Sequence, residues 1–314
     1  MIPSYNCSQY LRPALESVLL QDPGPELMQI EVIDDCSTDE DVEALVREIG
    51  KGRVGFFRQK ENVGSLRNFE TCLKRSKGLL IHLLHGDDLV KPGFYREIEN
   101  LFDQYPAAGA AFTAVSYIDK NGIEWFDHKK VSEKSGIIEN WLYKIAQVQW
   151  VEPPAMVVKR SVYEKLGSFF AVHYGEDWEM WIRIAAHFPV VFSPSYLALY
   201  RKHDDNISSR ALLSGQNIKD IQKVIEIVQE YLPVDQRKKL KKAARKNFSI
   251  YFANISDQIF HHHNNSPAAI FQAKNALRMD VNTTTFFSLI KLYAKYFIGW
   301  KRKEKGTIGR AKKK

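Results

Sequence analysis

Up to about residue 120, short apolar runs alternate with stretches whose apolar positions recur every three or four residues. The runs at 30–34, 54–58, 79–84 and 110–118 are too short for helices and end in polar turns, which predicts four strands. Between them Leu11, Leu15, Val18 and Leu19 share one helical face, as do Val42, Leu45, Val46 and Ile49. Ser37 or Thr38 is the expected cap of the second helix. Strand and helix in this alternation build a parallel α/β sheet.

Residues 121–150 break the pattern with a turn at Asn121-Gly122 and several aromatics, and read as a connection or lid. A strand at 155–159, a helix opening at Glu176 and Asp177 and running to His187, and an extended run at 190–200 then resume it. From about residue 211 the periodicity is helical, with breaks at Pro233 and Pro267. The expected organisation is an α/β domain over 1–210, a helical region over 211–300 and a basic tail over 301–314. Only Met1 and Ile2 precede the turn Pro3-Ser4-Tyr5-Asn6, so the first strand is expected to be nearly missing and the start reads as truncated.

A chain of 314 residues with 45% hydrophobic content can bury one good-sized core and a smaller appended unit. It has no run of about eighteen apolar residues and no basic stretch leading into an apolar core at its start. The expected location is therefore the cytoplasm, or the cytoplasmic face of a membrane. Cys7, Cys36 and Cys72 are odd in number and lack paired spacing, so they read as reduced thiols and not as a zinc site. Of the formal charge of +8, the tail supplies +7 from eight Lys or Arg against one Glu. The nearly neutral remainder argues against a nucleic-acid surface.

Four constellations carry candidate chemistry. The apolar run ending in Asp34-Asp35-Cys36-Ser37 places two acids where open parallel sheets bind ligands, beyond a strand's carboxyl end, although Asp and Ser there also suit a helix cap. His85-Gly86-Asp87-Asp88 again follows a buried run; adjacent carboxylates repel, and a divalent cation of the Mg²⁺ or Mn²⁺ type would relieve this, the ordinary alternative being an acidic loop before Pro92. Glu176-Asp177 opens a helix, where an acid can take a proton from an attacking hydroxyl or simply favour the helix dipole. Last, Arg201-Lys202-His203 offers cations for a diphosphate and an imidazole for a metal, or a solvated basic loop. His261, His262 and His263 diverge in direction and read as surface.

Taken in order, these motifs resemble the family 2 glycosyltransferases of GT-A fold. The likeness runs from Ile2-Pro3-Ser4-Tyr5-Asn6 through Glu16-Ser17-Val18, Glu61-Asn62-Val63-Gly64 with Arg67 and Asn68, and Lys77-Gly78 to Asp87-Asp88 and Pro92. Gly167-Ser168-Phe169, Glu176-Asp177, Arg201 and His203 complete it, so that it covers about residues 2–209. One departure is His85, which stands where the family's metal motif commonly has an acid. The other is the short first strand.

The resemblance implies a Rossmann-like, mostly parallel sheet flanked by helices, and transfer of a sugar from a nucleotide diphosphate to an acceptor hydroxyl with inversion. It implies Asp87 and His203 as ligands of Mn²⁺ or Mg²⁺, and Asp177 in preference to Glu176 as the base. Pro3, Tyr5, Asp35, Arg67 and Asp88 are implied to bind the donor, most simply a UDP-sugar. The expected acceptor is a glycan or a lipid-linked molecule in cell-surface polysaccharide or glycolipid synthesis. Two other readings remain: a non-catalytic nucleotide-binding relative, which His85 keeps open, and a nucleotidyltransferase, which lacks its glycine-rich basic loop here. Finally, Phe286, Phe287, Leu289, Ile290, Tyr293, Phe297 and Trp300 lie around a helix with Lys291 and Lys295 on one face, ahead of the basic tail. That arrangement suits peripheral contact with an anionic membrane, or a helix packed on its neighbours with a solvated end.

Overall fold

The computed structural model describes residues 1–204, 206–262 and 265–298. Its first part is three strands, β1 (Ile2–Ser4), β2 (Glu31–Asp34) and β3 (Gly55–Arg58), with α1 (Ser8–Leu19) and α2 (Val42–Gly50) as crossovers. All pairings there are parallel, setting Ser4 opposite Asp34 and Asp34 opposite Arg58. After α3 (Ser65–Arg75) come β4 (Leu80–His82), β5 (Leu89–Val90), α4 (Phe94–Gln104) and β6 (Ala110–Ile118). The stretch expected to be irregular holds β7 (Glu124–Asp127), β8 (Gly136–Ile137) and α5 (Trp141–Ile145). Then follow β9 (Met156–Lys159), α6 (Arg160–Leu166), α7 (Glu176–His187) and β10 (Val190–Arg201).

The second sheet runs β4-β9-β6-β10-β5, with β7 on β6 and β8 on β10. β6 and β10 are parallel, while β9 is reversed against both β4 and β6. Backbone bonds join the two sheets: the Met1 ammonium donates to His82 O at 3.0 Å, Leu84 N–H to Met1 O at 3.1 Å and Gly86 N–H to Pro3 O at 3.1 Å. The segment 82–86 is thus bound in parallel along β1, and the ends of β1, β2, segment 82–86 and β10 gather on one side. Ligands of open α/β sheets bind at such a gathering.

Two local expectations change. β1 is in place, buried along its three residues and bonded on both edges, so Pro3 and Ser4 belong to the strand and the turn begins at Tyr5. The cap of α2 is Asp41, whose side chain accepts from Ala44 N–H at 3.1 Å. Ser37 is unavailable for that role because its hydroxyl turns inward to Asp34.

The remaining chain is α8 (Ile207–Ser214), α9 (Gln216–Ile227), α10 (Val234–His262), α11 (Ser266–Met279) and α12 (Thr283–Phe297). Pro233 stands just before α10 and Pro267 in the first turn of α11, where a missing N–H costs no helical bond. Ile218, Ile221 and Val224 of α9 and Phe248 and Phe252 of α10 join the same buried cluster as Val32, Leu84 and Phe112 of the sheets. A smaller cluster around Ile255, Ile259, Phe260 and Leu292 ties α10 to α11 and α12.

Of the two arrangements expected for α12, packing on its neighbours is what its lysines show: Lys291 and Lys295 lie 3.5 and 2.6 Å from Asp257 of α10. His261 joins them, 3.7 Å from Asp257, and so is not simply surface. His263, Trp300 and the basic tail lie outside the described residues. Among the described residues no helix is long and apolar enough to cross a membrane.

Candidate active site

At the end of β2, Asp34 is fully buried, bonded by Ser37 Oγ and by Arg58 at 2.9 Å. Asp35 turns the other way. Its two carboxylate oxygens accept from Val63 N–H at 2.8 Å and Gly64 N–H at 2.9 Å, which fastens the turn before α3. Gly64 has φ 83°, a conformation that side chains with Cβ resist. Burial pushes the Asp35 carboxyl up, the two N–H bonds oppose this, and the Asp34 charge adds to it. Beside this turn Tyr5 is 40% exposed after buried Pro3, and Arg67 on the first turn of α3 is open to solvent, 4.0 Å from Glu70.

The second group is denser. His203 Nε2 lies 2.9 Å from Asp87 Oδ2, bringing together residues 116 positions apart. Asp88 is 1% exposed; its Oδ1 accepts from Arg201 N–H at 2.8 Å, while its Oδ2 has no partner. Burial and then the Asp87 charge push Asp88 well above the carboxylate range. For Asp87 burial acts in the same direction, but the His203 hydrogen bond and the His85 charge outweigh it and hold it below the ordinary value. His85 stacks on Phe69, centroids 5.2 Å apart, and burial lowers its proton affinity. Arg201, a candidate for diphosphate, is committed to the carbonyls of Asp87 at 2.7 Å and Asp119 at 3.1 Å. Lys202 stands over the Tyr117 and Tyr200 rings.

A divalent cation fits these residues on two counts. Ligand atoms of His85, Asp87 and Asp88 all lie within 4.8 Å of one another. Asp88 Oδ2 is a buried polar atom without a partner, a costly state that a bound ion with its waters would relieve. His85 therefore belongs to the candidate metal group even though it replaces the expected acid.

Third, Asp177 is 8% exposed at the start of α7. Its Oδ1 accepts from Trp178 N–H at 2.8 Å and its Oδ2 from Gln149 Nε2 at 2.5 Å. Burial, then the charge of Glu152, raises its carboxyl to about 7, within reach of a general base at neutral pH. Glu176 is pushed well above its usual range by burial and by Asp177. A small cavity lined by Phe69, His85, Pro153, Phe169, Glu176 and Asp177 connects the metal group with this acid.

Gln149 and Glu152 had no signal of the kind that marked the other acids, being neither paired nor at a strand end. Glu152 receives the Tyr117 hydroxyl, and its charge acts on Asp88, His85 and Asp177. The one hint in the sequence was an acid before Pro153-Pro154, since proline holds the preceding backbone extended.

The family model described as Glycosyl transferase family 2 matches residues 1–167. The minor teichoic acid biosynthesis protein GgaB of Bacillus subtilis is 33% identical over 109 residues, 33% of this chain and 12% of that protein. In three dimensions the chain is similar to TarS of S. aureus in complex with UDP-GlcNAc, with a TM-score of 0.65 at 14% identity over 95% of this chain and 90% of that one. A mannosyltransferase of Pyrobaculum calidifontis in complex with GDP-Man and Mn²⁺ gives 0.57 at 14% identity, covering 94% of this chain and 79% of the other. The shared architecture is the GT-A fold, a mixed α/β arrangement around a mostly parallel sheet with a helical C-terminal region. With the family match spanning more than half of its 314 residues, the chain belongs to glycosyl transferase family 2 and is a glycosyltransferase.

Proposed function

We propose that the chain moves a sugar from a nucleotide diphosphate, most simply UDP, to an acceptor hydroxyl by single displacement with inversion. The observation that carries this reading is the proximity of Asp177, an acid near neutral proton affinity, to the group His85, Asp87 and Asp88 across one small cavity. Tyr5, following Pro3, packs on the nucleobase, and Asp35, each of whose oxygens keeps a second lone pair, accepts from the base or ribose. Arg67, exposed at the head of α3, and Asp88 complete the donor contacts. Asp87 and His203 hold Mn²⁺ or Mg²⁺, which when bound neutralises the departing diphosphate. Asp177 takes the acceptor proton, with Gln149 fixing the direction of its Oδ2. Support for a UDP donor comes from TarS, whose structure holds UDP-GlcNAc, and for Mn²⁺ from the mannosyltransferase.

We further propose a glycan or lipid-linked acceptor in cell-surface polymer synthesis, as the likeness to a teichoic acid biosynthesis protein suggests. The proposed setting is the cytoplasm, with peripheral contact to an anionic membrane through α12 and the basic tail. Incubation with labelled nucleotide sugars separates the alternatives: labelled sugar on an acceptor supports transfer, labelled sugar 1-phosphate left by nucleotidyl transfer indicates a nucleotidyltransferase, and neither product indicates a non-catalytic relative. The anomeric configuration of the product, read by NMR, tests inversion.

A further inference from the structure

Four separate segments surround Glu152, and a fifth, α10, reaches one of them. The Tyr117 hydroxyl, from β6, donates to its carboxylate. The Tyr200 ring of β10 stands edge-on to Tyr117 at 5.5 Å, and His128 lies 6.0 Å from the same ring. Tyr174, just before α7, and Tyr251 of α10 bring their hydroxyls within 3.4 Å of each other, with Tyr251 39% exposed. Burial raises the proton affinity of Tyr117, Tyr174, Tyr200 and Asp177, and the Glu152 charge adds to it at each, so all four share one electrostatic neighbourhood. From Tyr117 the aromatic surface continues outward through Phe126 and Trp125, at 5.5 and 6.2 Å, and Trp125 is 60% exposed.

We propose that Glu152 and this tyrosine cluster form the acceptor subsite, and that it takes an uncharged sugar or polyol ring whose hydroxyls donate to Glu152. This rests on the reading of Asp177 as the base. The chemistry of the wall selects the class. A carboxylate accepts hydrogen bonds and repels anions, phenols donate and accept, and aromatic faces cover apolar C–H surface. Vicinal hydroxyls on a ring satisfy all three, whereas a phosphate at the point of attachment meets the Glu152 charge. Glu152 also lies three residues after Gln149, the side chain bonded to Asp177 Oδ2. One short loop therefore holds the base and presents the carboxylate that receives neighbouring hydroxyls.

Glu152→Gln keeps an oxygen for the Tyr117 hydroxyl and removes the charge. Trp125→Ala alters only an exposed ring, and so reports on the subsite without threatening the core. The measurements are binding of the methyl glycosides of glucose, galactose and N-acetylglucosamine by saturation-transfer NMR, acceptor KM against kcat where transfer occurs, and UDP binding with Mn²⁺. Glu152→Gln is expected to weaken glycoside binding or raise acceptor KM by about 10- to 100-fold, the worth of a charged hydrogen bond, while UDP binding and melting stay at the parental level. Trp125→Ala is expected to cost about 2- to 10-fold in the same readout. The proposal is overturned if no glycoside binds the parent, if Glu152→Gln leaves glycoside binding unchanged, or if UDP binding falls in parallel. A parent that binds glycosides but not UDP would instead sink the donor reading and leave the subsite standing.

Discussion

Asp177 separates chemistry from stability at a single position. A base acts after losing its proton, so turnover should climb as pH rises through about 7 and level off above it. The sign for stability is opposite. Between the ordinary value of 3.8 and about 7 the folded chain holds a proton that the unfolded chain releases, so this residue costs stability as pH rises through that window. Asp177→Asn removes the cost, which could reach ~4 kcal/mol, and retains an oxygen for Trp178 N–H. We expect the variant to melt at or above the parental temperature at pH 8 while turnover falls by ~10²- to 10⁴-fold and UDP affinity is kept. Parental turnover in that variant would remove Asp177 from the chemistry. Asp35, Asp87, Asp88 and Asp177 were legible because each stands where a periodic run stops or, for Asp177, begins, and a carboxylate at such a point needs a reason. Glu152 and Gln149 were not, because their neighbours come from β6, α7 and β10, and no local pattern encodes that encounter.

Elements with many periodic positions were readable, among them β6, α7 and the helices opened by Pro233 and Pro267. Where an element is short, tertiary bonds decide its limits: β1 has three residues and exists because β2 and segment 82–86 bind it from both sides. α12 shows a different limit. Spacing put Lys291 and Lys295 on one face, but only the structure shows that both meet Asp257 on α10. The side left open carries Phe286, Phe287, Ile290 and Phe297, all at least 49% exposed. If this surface meets an anionic membrane, the triple change Phe286→Ser, Phe287→Ser and Ile290→Ser should abolish co-sedimentation with anionic vesicles and leave melting nearly unchanged. Parental binding should weaken with salt, as screening requires of its electrostatic part. Equal binding by both proteins, or binding indifferent to salt, would dismiss the contact.

In the whole molecule, the change of pattern near residue 210 does not coincide with a gap in the core. Ile218, Ile221, Val224 and Ile225 are buried in the cluster that includes the sheets. Four such side chains represent ~6–12 kcal/mol of burial, comparable with the ~5–15 kcal/mol that stabilises a typical protein. A chain ending at 210 is therefore expected to show no cooperative thermal transition by circular dichroism; a sharp one would mean that the first part folds alone. The fold as a whole was legible through the order of its strand-end motifs. The way α9 and α10 close over α7 was not, because amphipathic helices announce a buried face without naming what buries it. The same assembly brings His203 to Asp87 and leaves Asp88 Oδ2 without a partner. Calorimetric titration of UDP into the parent and into Asp87→Ala, with and without Mn²⁺, tests this centre most directly. UDP binding that requires Mn²⁺ in the parent, and that Asp87→Ala weakens by at least ~10- to 100-fold without loss of folding, is the expected result. Binding in the parent that ignores Mn²⁺, or an Asp87→Ala protein that binds as the parent does, would contradict it.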